Sequence, residues 1–338
     1  MELNACQITK YHTCATICSK VYNKLKEMIN KESERNIKKL CEYGNNLILQ
    51  ELSQIYKKEK NKNIGFPVNI SLNNCLGNYI EDVIIDENDI IKIELGVNIS
   101  GCISIFAETF SIIPNINLKK YTKFLDKIQN SLLKMIKDKE TGDEIRIFIE
   151  SKCTEINVFP VENCISYQSD IDYLKTHDSK YFIMNYKKYY DNNEYLILEN
   201  INYEFEENDV YNINLTIIPD NDDDHQEDTV IYNTDEKSYI YTLTDNTYGL
   251  KLKTSRDFYN EIKKNHYFNP FEIQKYKYKN FSSGIKECEK NNLLNVFPVK
   301  YTKYKTTNKK DTLKDGPLVI TKKFTIIVGK DKSKLLNY

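Results

Sequence analysis

The chain has 338 residues, enough for one large or two medium domains, and its 48 Lys and Arg against 49 Asp and Glu leave a formal net charge of -1. A global attraction for nucleic acid or anionic membranes is thereby excluded, and a polyanion must be met by local patches. No apolar run approaches the roughly 18 residues that span a bilayer, and the nine cysteines include no CxxC pair. With an N-terminus that lacks an apolar leader, the chain reads as soluble, reduced and intracellular.

In chain order, the first amphipathic helix is expected over Ala15 to Ile29, where Ile17, Val21, Leu25 and Ile29 recur every four residues beneath a Lys-rich outer face. Cys14 and Cys18 share its apolar side, a spacing that fits core packing better than a metal pair. A second helix is expected over Ile37 to Tyr56. A charged bend, KKEKNKN, then leads through Gly65 and Pro67 into a strand. Ile91, Ile93, Leu95, Val97 and Ile99 alternate with Lys92, Glu94, Gly96 and Asn98, the period of a strand with one buried face. Ser100-Gly101 offers a turn into a second strand, Cys102 to Ile113.

Leu125 to Ile136 is helical by the spacing of Leu125, Ile128, Leu132 and Ile136. The stretch from Lys180 to Glu207 is rich in Tyr and Asn, and Asp220 to Asp228 is an acidic loop. Ser255 to His266 reads as a helix with Ser255 as its cap. Pro317 to Gly329 reads as a strand, and KDKSKLLNY as a short basic tail. Helices flanking antiparallel strands give an α+β class.

Two stretches, GFPVNISLNNC (Gly65 to Cys75) and KIELGVNISG (Lys92 to Gly101), resemble type 2 methionine aminopeptidases. Two others, YGLKLKTSRDFYNEI (Tyr248 to Ile262) and LLNVFPVKY (Leu293 to Tyr301), are closer to a non-peptidase branch, the proliferation-associated or ErbB-receptor-binding proteins. Further similarity at TKY (Thr9 to Tyr11), IYKKEKNKNIGFP (Ile55 to Pro67), PVENCISYQ (Pro160 to Gln168) and KKFTIIV (Lys322 to Val328) extends it over nearly the whole chain. The resemblance implies a pita-bread fold: a strongly bent antiparallel sheet flanked by helices, with a helical insert in the second half. One domain is expected over residues 1–338, in halves of about 1–120 and 121–338, with the insert at about 226–290.

Active members of this family hold two divalent metals on carboxylates and one imidazole, and use a further catalytic histidine. Anionic oxygens and a neutral ring nitrogen supply the charge neutralisation and geometry such cations need. Carried onto this chain, the catalytic histidine's place in NNCLGN falls on Asn78, which shuttles no proton. The ligand places fall on Glu94 in IELG, Ile105 eleven residues on, Tyr167 in CISYQ, Asn214 in YNINL and Lys323 in TKKFT. Only Glu94 keeps a ligating group, and Lys323 puts a cation where a metal would lie. The resemblance thus implies no catalytic residue, metal or cofactor here. The four histidines, His12, His177, His225 and His266, fall away from those places. The plainer reading of Asn78, Tyr167 and Asn214 is polar filling of a former cavity; the sharper one is a repurposed ligand pocket. Glu94 and Lys323 are expected within about 4 Å of each other, because either charge alone would be desolvated at a cost.

Three basic clusters stand out: Lys57, Lys58, Lys60 and Lys62; Lys251, Lys253, Arg256, Lys263 and Lys264; and Lys300, Lys303, Lys305, Lys309 and Lys310. A charge run is usually a solvated face. Here Tyr259, Tyr267, Tyr301 and Tyr304 interleave, the mixture that pairs with phosphates and stacks on bases. Members of the proliferation-associated branch associate with ribosomes. The resemblance therefore implies binding to the large ribosomal subunit, its rRNA and tunnel-exit proteins, or to structured RNA, and modulation of translation. A monomer is expected, cytoplasmic and secondarily nuclear, without membrane contact. The chain stops at KSKLLNY, so nuclear targeting by that branch's long Lys-rich tail is not expected. Two alternatives stay open: an active type 2 methionine aminopeptidase with an unforeseen ligand set, and a protein-interaction scaffold without RNA binding.

Overall fold

Asn4 starts the first helix: its side chain accepts from the Gln7 amide while the Gln7 side chain accepts from the Asn4 amide. In the computed structural model α1 (Ala5–Asn30) therefore begins at Ala5 rather than Ala15, and its early residues Tyr11 and Cys14 are fully buried. The structure describes residues 3–31, 34–77, 82–161, 164–169, 180–183, 203–219, 229–233, 238–266, 269–277, 279–304 and 316–336. Residues 184–202 of the Tyr- and Asn-rich stretch and the acidic loop at 220–228 lie outside them, as do His177 and His225. α2 (Ile37–Gln54) ends two residues before the expected Tyr56, where the Lys62 ammonium donates hydrogen bonds to the Leu52 and Ile55 carbonyls at 2.8 and 2.6 Å.

Three strands follow: β1 (Lys62–Leu72), the short β2 (Cys75–Gly77) and β3 (Ile90–Ile99), which turns into β4 (Cys102–Ser111). Ser100 and Gly101, both at positive φ (56° and 85°), form the two-residue loop whose twist suits an antiparallel hairpin. α3 (Ile116–Met135) starts nine residues before the expected Leu125, capped by Asn115, and α4 (Gly142–Thr154), not anticipated, is capped by Thr141 and Glu144 in a capping box.

Next come β5 (Val158–Pro160), β6 (Ile165–Gln168), β7 (Tyr181–Ile183), β8 (Val210–Pro219), β9 (Thr229–Asn233) and β10 (Ile240–Leu243). α5 (Lys253–Asn265), β11 (Phe271–Glu272), α6 (Gln274–Lys277) and α7 (Ser282–Lys290) fall where the insert is expected, and β12 (Leu294–Val296), β13 (Lys300–Tyr304), β14 (Ile320–Ile327) and β15 (Lys334–Leu335) follow. Among the described residues the main sheet has nine strands in the order β1-β3-β4-β14-β8-β6-β7, with β15 beside β14 and β5 beside β8. Within the expected basic tail, Lys334 and Leu335 form a short strand, and Leu336 behind them is fully buried.

The two halves of this sheet are covered alike. The aliphatic row Ile91 to Ile99 packs under α1 and α2, and Ile213, Leu215, Ile217, Phe324 and Ile326 pack under α3 and α4. Cys14 and Cys18 point into the first of these cores, their thiols donating toward the Cys102 and Ser104 carbonyls, and burial pushes both thiols up. Between the halves, β4 and β14 are joined largely by threonines. Thr109 exchanges bonds with the Thr321 backbone at 2.8 Å each way, and Thr325 accepts from the Ile105 amide at 3.0 Å.

The insert's helices rest on a small sheet, β11-β10-β12, around a core of its own that includes Phe258, Ile262, Phe271 and Leu293. Ser255 is not the cap of α5. Leu252 occupies that position without a side-chain bond, and the buried Ser255 hydroxyl instead donates to Glu287 at 2.5 Å. Glu287, reaching over from α7, also accepts from the backbone amides of Lys251 and Leu252, so the helix is capped from a neighbouring element.

Candidate functional site

The helix-free face of the main sheet carries the site. Alternation along each strand sends every second side chain into the cores and leaves the others on this face. Register then aligns Asn69, Glu94, Ala107, Lys323 and Asn214 in one row across β1, β3, β4, β14 and β8. Ala107 stands between Glu94 and Lys323, and its single methyl leaves room above it for the two longer side chains to meet. The Lys323 ammonium lies 2.5 Å from a Glu94 carboxylate oxygen, with the two side chains 21 and 14 % exposed.

Glu94, Ile105, Tyr167, Asn214 and Lys323, five of the six residues drawn from the family comparison, line one cleft of about 710 Å³. Asn78 lies outside the described residues. Apolar walls come from Phe66, Leu76, Ile231, Leu243 and Phe297, and the Phe66 and Phe297 rings meet edge to face, 5.9 Å between centroids. The Asn214 amide oxygen accepts from Thr216, and the Asn212 amide oxygen from Thr325, both at 2.7 Å. Burial, with the Glu94 charge second, raises the pKa of the Tyr167 hydroxyl.

Three residues of this face were not assigned to the site in the sequence reading, Lys300 having been marked only as part of a basic cluster. Lys92, two residues before Glu94 and on the same side of β3, is 4 % exposed and lines a smaller cavity of about 50 Å³ with Glu94 and Lys323. Its ammonium donates to the Asn73 carbonyl at 2.7 Å, and burial lowers its pKa to about 8. Cys164 lines both cavities, its thiol raised by burial, and Lys300 lines the larger one. The period-two pattern already placed Lys92 beside Glu94; for Cys164 and Lys300 no local signal exists, since their position depends on strands paired over long range.

This donor set does not fit a pair of divalent cations. Its one carboxylate already faces an ammonium, the neighbouring groups are amides, a phenol and an isoleucine, and among the described residues no three His, Cys, Asp or Glu side chains come together as a metal would require.

Of the basic residues, Lys57, Lys58, Lys60, Lys251, Lys253, Arg256, Lys263 and Lys264 are exposed. Lys62 is engaged in closing α2, and Arg256 donates to the Leu250 and Lys251 carbonyls at 2.9 Å while remaining exposed. Lys300 and Lys303 sit half-buried on β13, and Lys305, Lys309, Lys310 and Tyr267 lie outside the described residues.

The family model described as metallopeptidase family M24 matches residues 9–233. The chain belongs to metallopeptidase family M24. It is 29 % identical over 261 residues to "Proliferation-associated protein A" of Dictyostelium discoideum, covering 73 % of this chain and 63 % of that protein. It is 25 % identical over 298 residues to "ERBB-3 binding protein 1" of Arabidopsis thaliana, covering 83 and 70 %. This M24 chain therefore spans less than two thirds of the length of the first of these relatives. Among solved structures, a thermophilic Arx1 superposes with a TM-score of 0.78 at 20 % identity, covering 99 % of this chain and 91 % of that one. The methionine aminopeptidase of Rickettsia prowazekii gives 0.58 at 12 %, covering 100 and 99 %. These likenesses show the fold, the pita-bread architecture of the M24 family, as the sequence motifs implied.

Proposed function

We propose that this M24 chain is a non-catalytic member of the family that binds the large ribosomal subunit or structured RNA and thereby modulates translation. The observation that carries the first half is the Lys323 ammonium on Glu94, which fills with protein charge the place that a bound cation takes in active relatives. The second half is supported by the exposed cations of the insert, Lys251, Lys253, Arg256, Lys263 and Lys264, and by the kinship with proliferation-associated and ERBB-3-binding proteins. On this reading Asn78, Glu94, Ile105, Tyr167, Asn214 and Lys323 form a degenerate site. The chain is one domain in two halves with an insert, working as a monomer without cofactor in the cytoplasm and the nucleus. Among the described residues no helix is long and apolar enough to cross a membrane.

Co-sedimentation with ribosomes across a salt series tests this, because phosphate-mediated binding falls steeply as salt rises. Binding to large subunits at low salt, with a slope reduced by up to about three units when Lys251, Arg256 and Lys264 are changed to Gln, is expected. No recovery with large subunits at low salt would overturn it. Turnover of a Met-initiated peptide with added Co or Mn, abolished by Glu94→Ala, would restore the aminopeptidase reading. The apolar-walled cleft favours the remaining alternative, a protein-interaction scaffold, which predicts partner binding insensitive to the insert cations.

A further inference from the structure

α3 exposes Lys119, Lys120, Lys123, Lys127 and Lys134 on one side, with Asp126 as the only exposed acid along it. Asp126 is engaged elsewhere, 2.8 Å from the Lys322 ammonium, which also reaches Glu108 at 3.2 Å. The lysines and arginine of α1 and α4 behave differently. Lys20 pairs with Glu51, Glu27 lies between Lys24 and Lys31, Arg146 bridges Asp143 and Glu150, and Lys152 meets Glu155. Among the described residues none of the five α3 lysines has an ion-pair partner; Lys120 alone has a ring contact, 5.3 Å over Tyr121.

Lys119, Lys123 and Lys127 succeed one another at four-residue intervals, where like charges repel by about 0.2 to 0.5 kcal/mol per pair. A solvated face would relieve that cost by alternating acids, as α1 and α4 do. At 1.5 Å of rise per residue the three amines stand about 6 Å apart along the axis, and the stripe to Lys134 runs about 22 Å. A nucleic-acid strand presents a phosphate about every 3.4 Å of duplex axis, so a stripe of this length faces roughly six. At the N-terminal end of α3, whose first turn holds no acid, a groove of about 440 Å³ is lined by Lys26, Lys119 and Ile116, the last 87 % exposed, and by Glu108 and Asp126, both already paired with Lys322. The helix end adds its own positive pole to the stripe.

We propose that the outer face of α3 is a second polyanion-binding surface, distinct from the insert, that seats the phosphate backbone of a nucleic-acid strand. The proposal rests on the reading of the chain as an RNA-binding protein and assigns that role to residues the insert does not include. Its recognition is of charge and spacing, with no base readout.

The test is binding of the whole chain to a fluorescent RNA duplex of about 20 base pairs in a salt series, for wild type, the triple change Lys119→Gln, Lys123→Gln and Lys127→Gln, and the insert triple change Lys251→Gln, Arg256→Gln and Lys264→Gln. The α3 variant is expected to bind at least about tenfold more weakly at low salt, with a salt slope shallower by up to about three units. Its melting temperature should hold or rise, since the substitutions remove like-charge repulsion, which separates lost binding from lost folding. Wild-type affinity and slope in the α3 variant, with binding lost in the insert variant, would overturn this inference and leave the RNA reading standing. No binding of the duplex by wild type would overturn both. Capture of polyglutamate in preference to the duplex, dependent on the α3 lysines, would overturn it in favour of an acidic protein partner.

Discussion

Lys323 and Glu94 are 229 residues apart in the chain and in contact across the alanine of the intervening strand. The pair joins the two halves of the sheet, β3 belonging to one and β14 to the other. Removing Lys323 alone strands a carboxylate in a cleft that water reaches only in part. Lys323→Ala should therefore lower stability by about 2 kcal/mol, less than the 3 to 5 kcal/mol typical of wholly enclosed pairs, and the joint change Glu94→Leu with Lys323→Met should cost less than the single one. Urea unfolding of the three variants decides it; a double variant weaker than Lys323→Ala would contradict the argument.

Lys92 makes stability depend on pH at the alkaline end. Its folded pKa of about 8 lies below the ordinary 10.5, chiefly through burial. Between those values the unfolded chain keeps a proton that the folded chain has released, so this residue's contribution to stability rises with pH across the window, while below pH 8 the penalty stands in full. The gain of wild type relative to Lys92→Met between pH 8 and 10.5 should approach about 3 kcal/mol. Parallel stability curves for the two proteins would show that Lys92 titrates normally.

His266 gives the insert the opposite vulnerability. Burial, with Lys275 second, lowers its pKa to about 4, and its Nε2 lies 2.7 Å from the Tyr276 hydroxyl. As pH falls from 6.5 towards 4 the unfolded chain takes up a proton that the folded insert refuses, so stability present above pH 6.5 is lost through that window. An imidazole NMR titration should place this ring near 4, well below the ordinary histidine value of 6.5. Hydrogen exchange at pH 5 should show the insert opening before the main sheet. A ring titrating near 6.5 would refute the assignment.

Gly96 sits where β1 departs from regular pairing between Ile64 and Asn69. A methyl group there would lie 2.8 Å from the Phe66 amide nitrogen and 3.0 Å from its Cβ, so backbone would have to move. Gly96→Ala should cost about 2 kcal/mol and, because Phe66 forms a wall of the cleft, should also shift the Phe66 and Phe297 ring contact. Thermal melting together with aromatic NMR shifts checks both effects; an unperturbed pair of rings would mean the strain is absorbed elsewhere.

The strands of the first half were legible because their alternation is strict: Ile91 to Ile99 enter one core, and the intervening Lys92, Glu94 and Gly96 had to face the other way. The starts of α1 and α3 were not. Their N-terminal segments mix buried Tyr11 and Tyr121 with polar neighbours, and their boundaries are set by asparagine caps. Ser255 illustrates the same limit, since a residue that looks like a cap locally was claimed by Glu287 from another helix. The Glu94 and Lys323 contact was foreseeable once the family motifs fixed their strands. The unpaired face of α3 was not, because whether a lysine has a partner depends on neighbours such as Lys322 that come from far along the chain.

The threonine join between β4 and β14 has a mechanical consequence. A ladder of backbone bonds fixes two strands at one angle, whereas a hydroxyl on a rotatable bond keeps its partner through a small change of tilt. Along the line where the halves meet, the described β4 and β14 are held by the backbone pairing of Lys323 with Ala107 and by these hydroxyls, and the cleft straddles that line. A substitution at Thr109, Thr321 or Thr325 would therefore be felt on both walls of the cleft, next to the Lys323 and Glu94 contact.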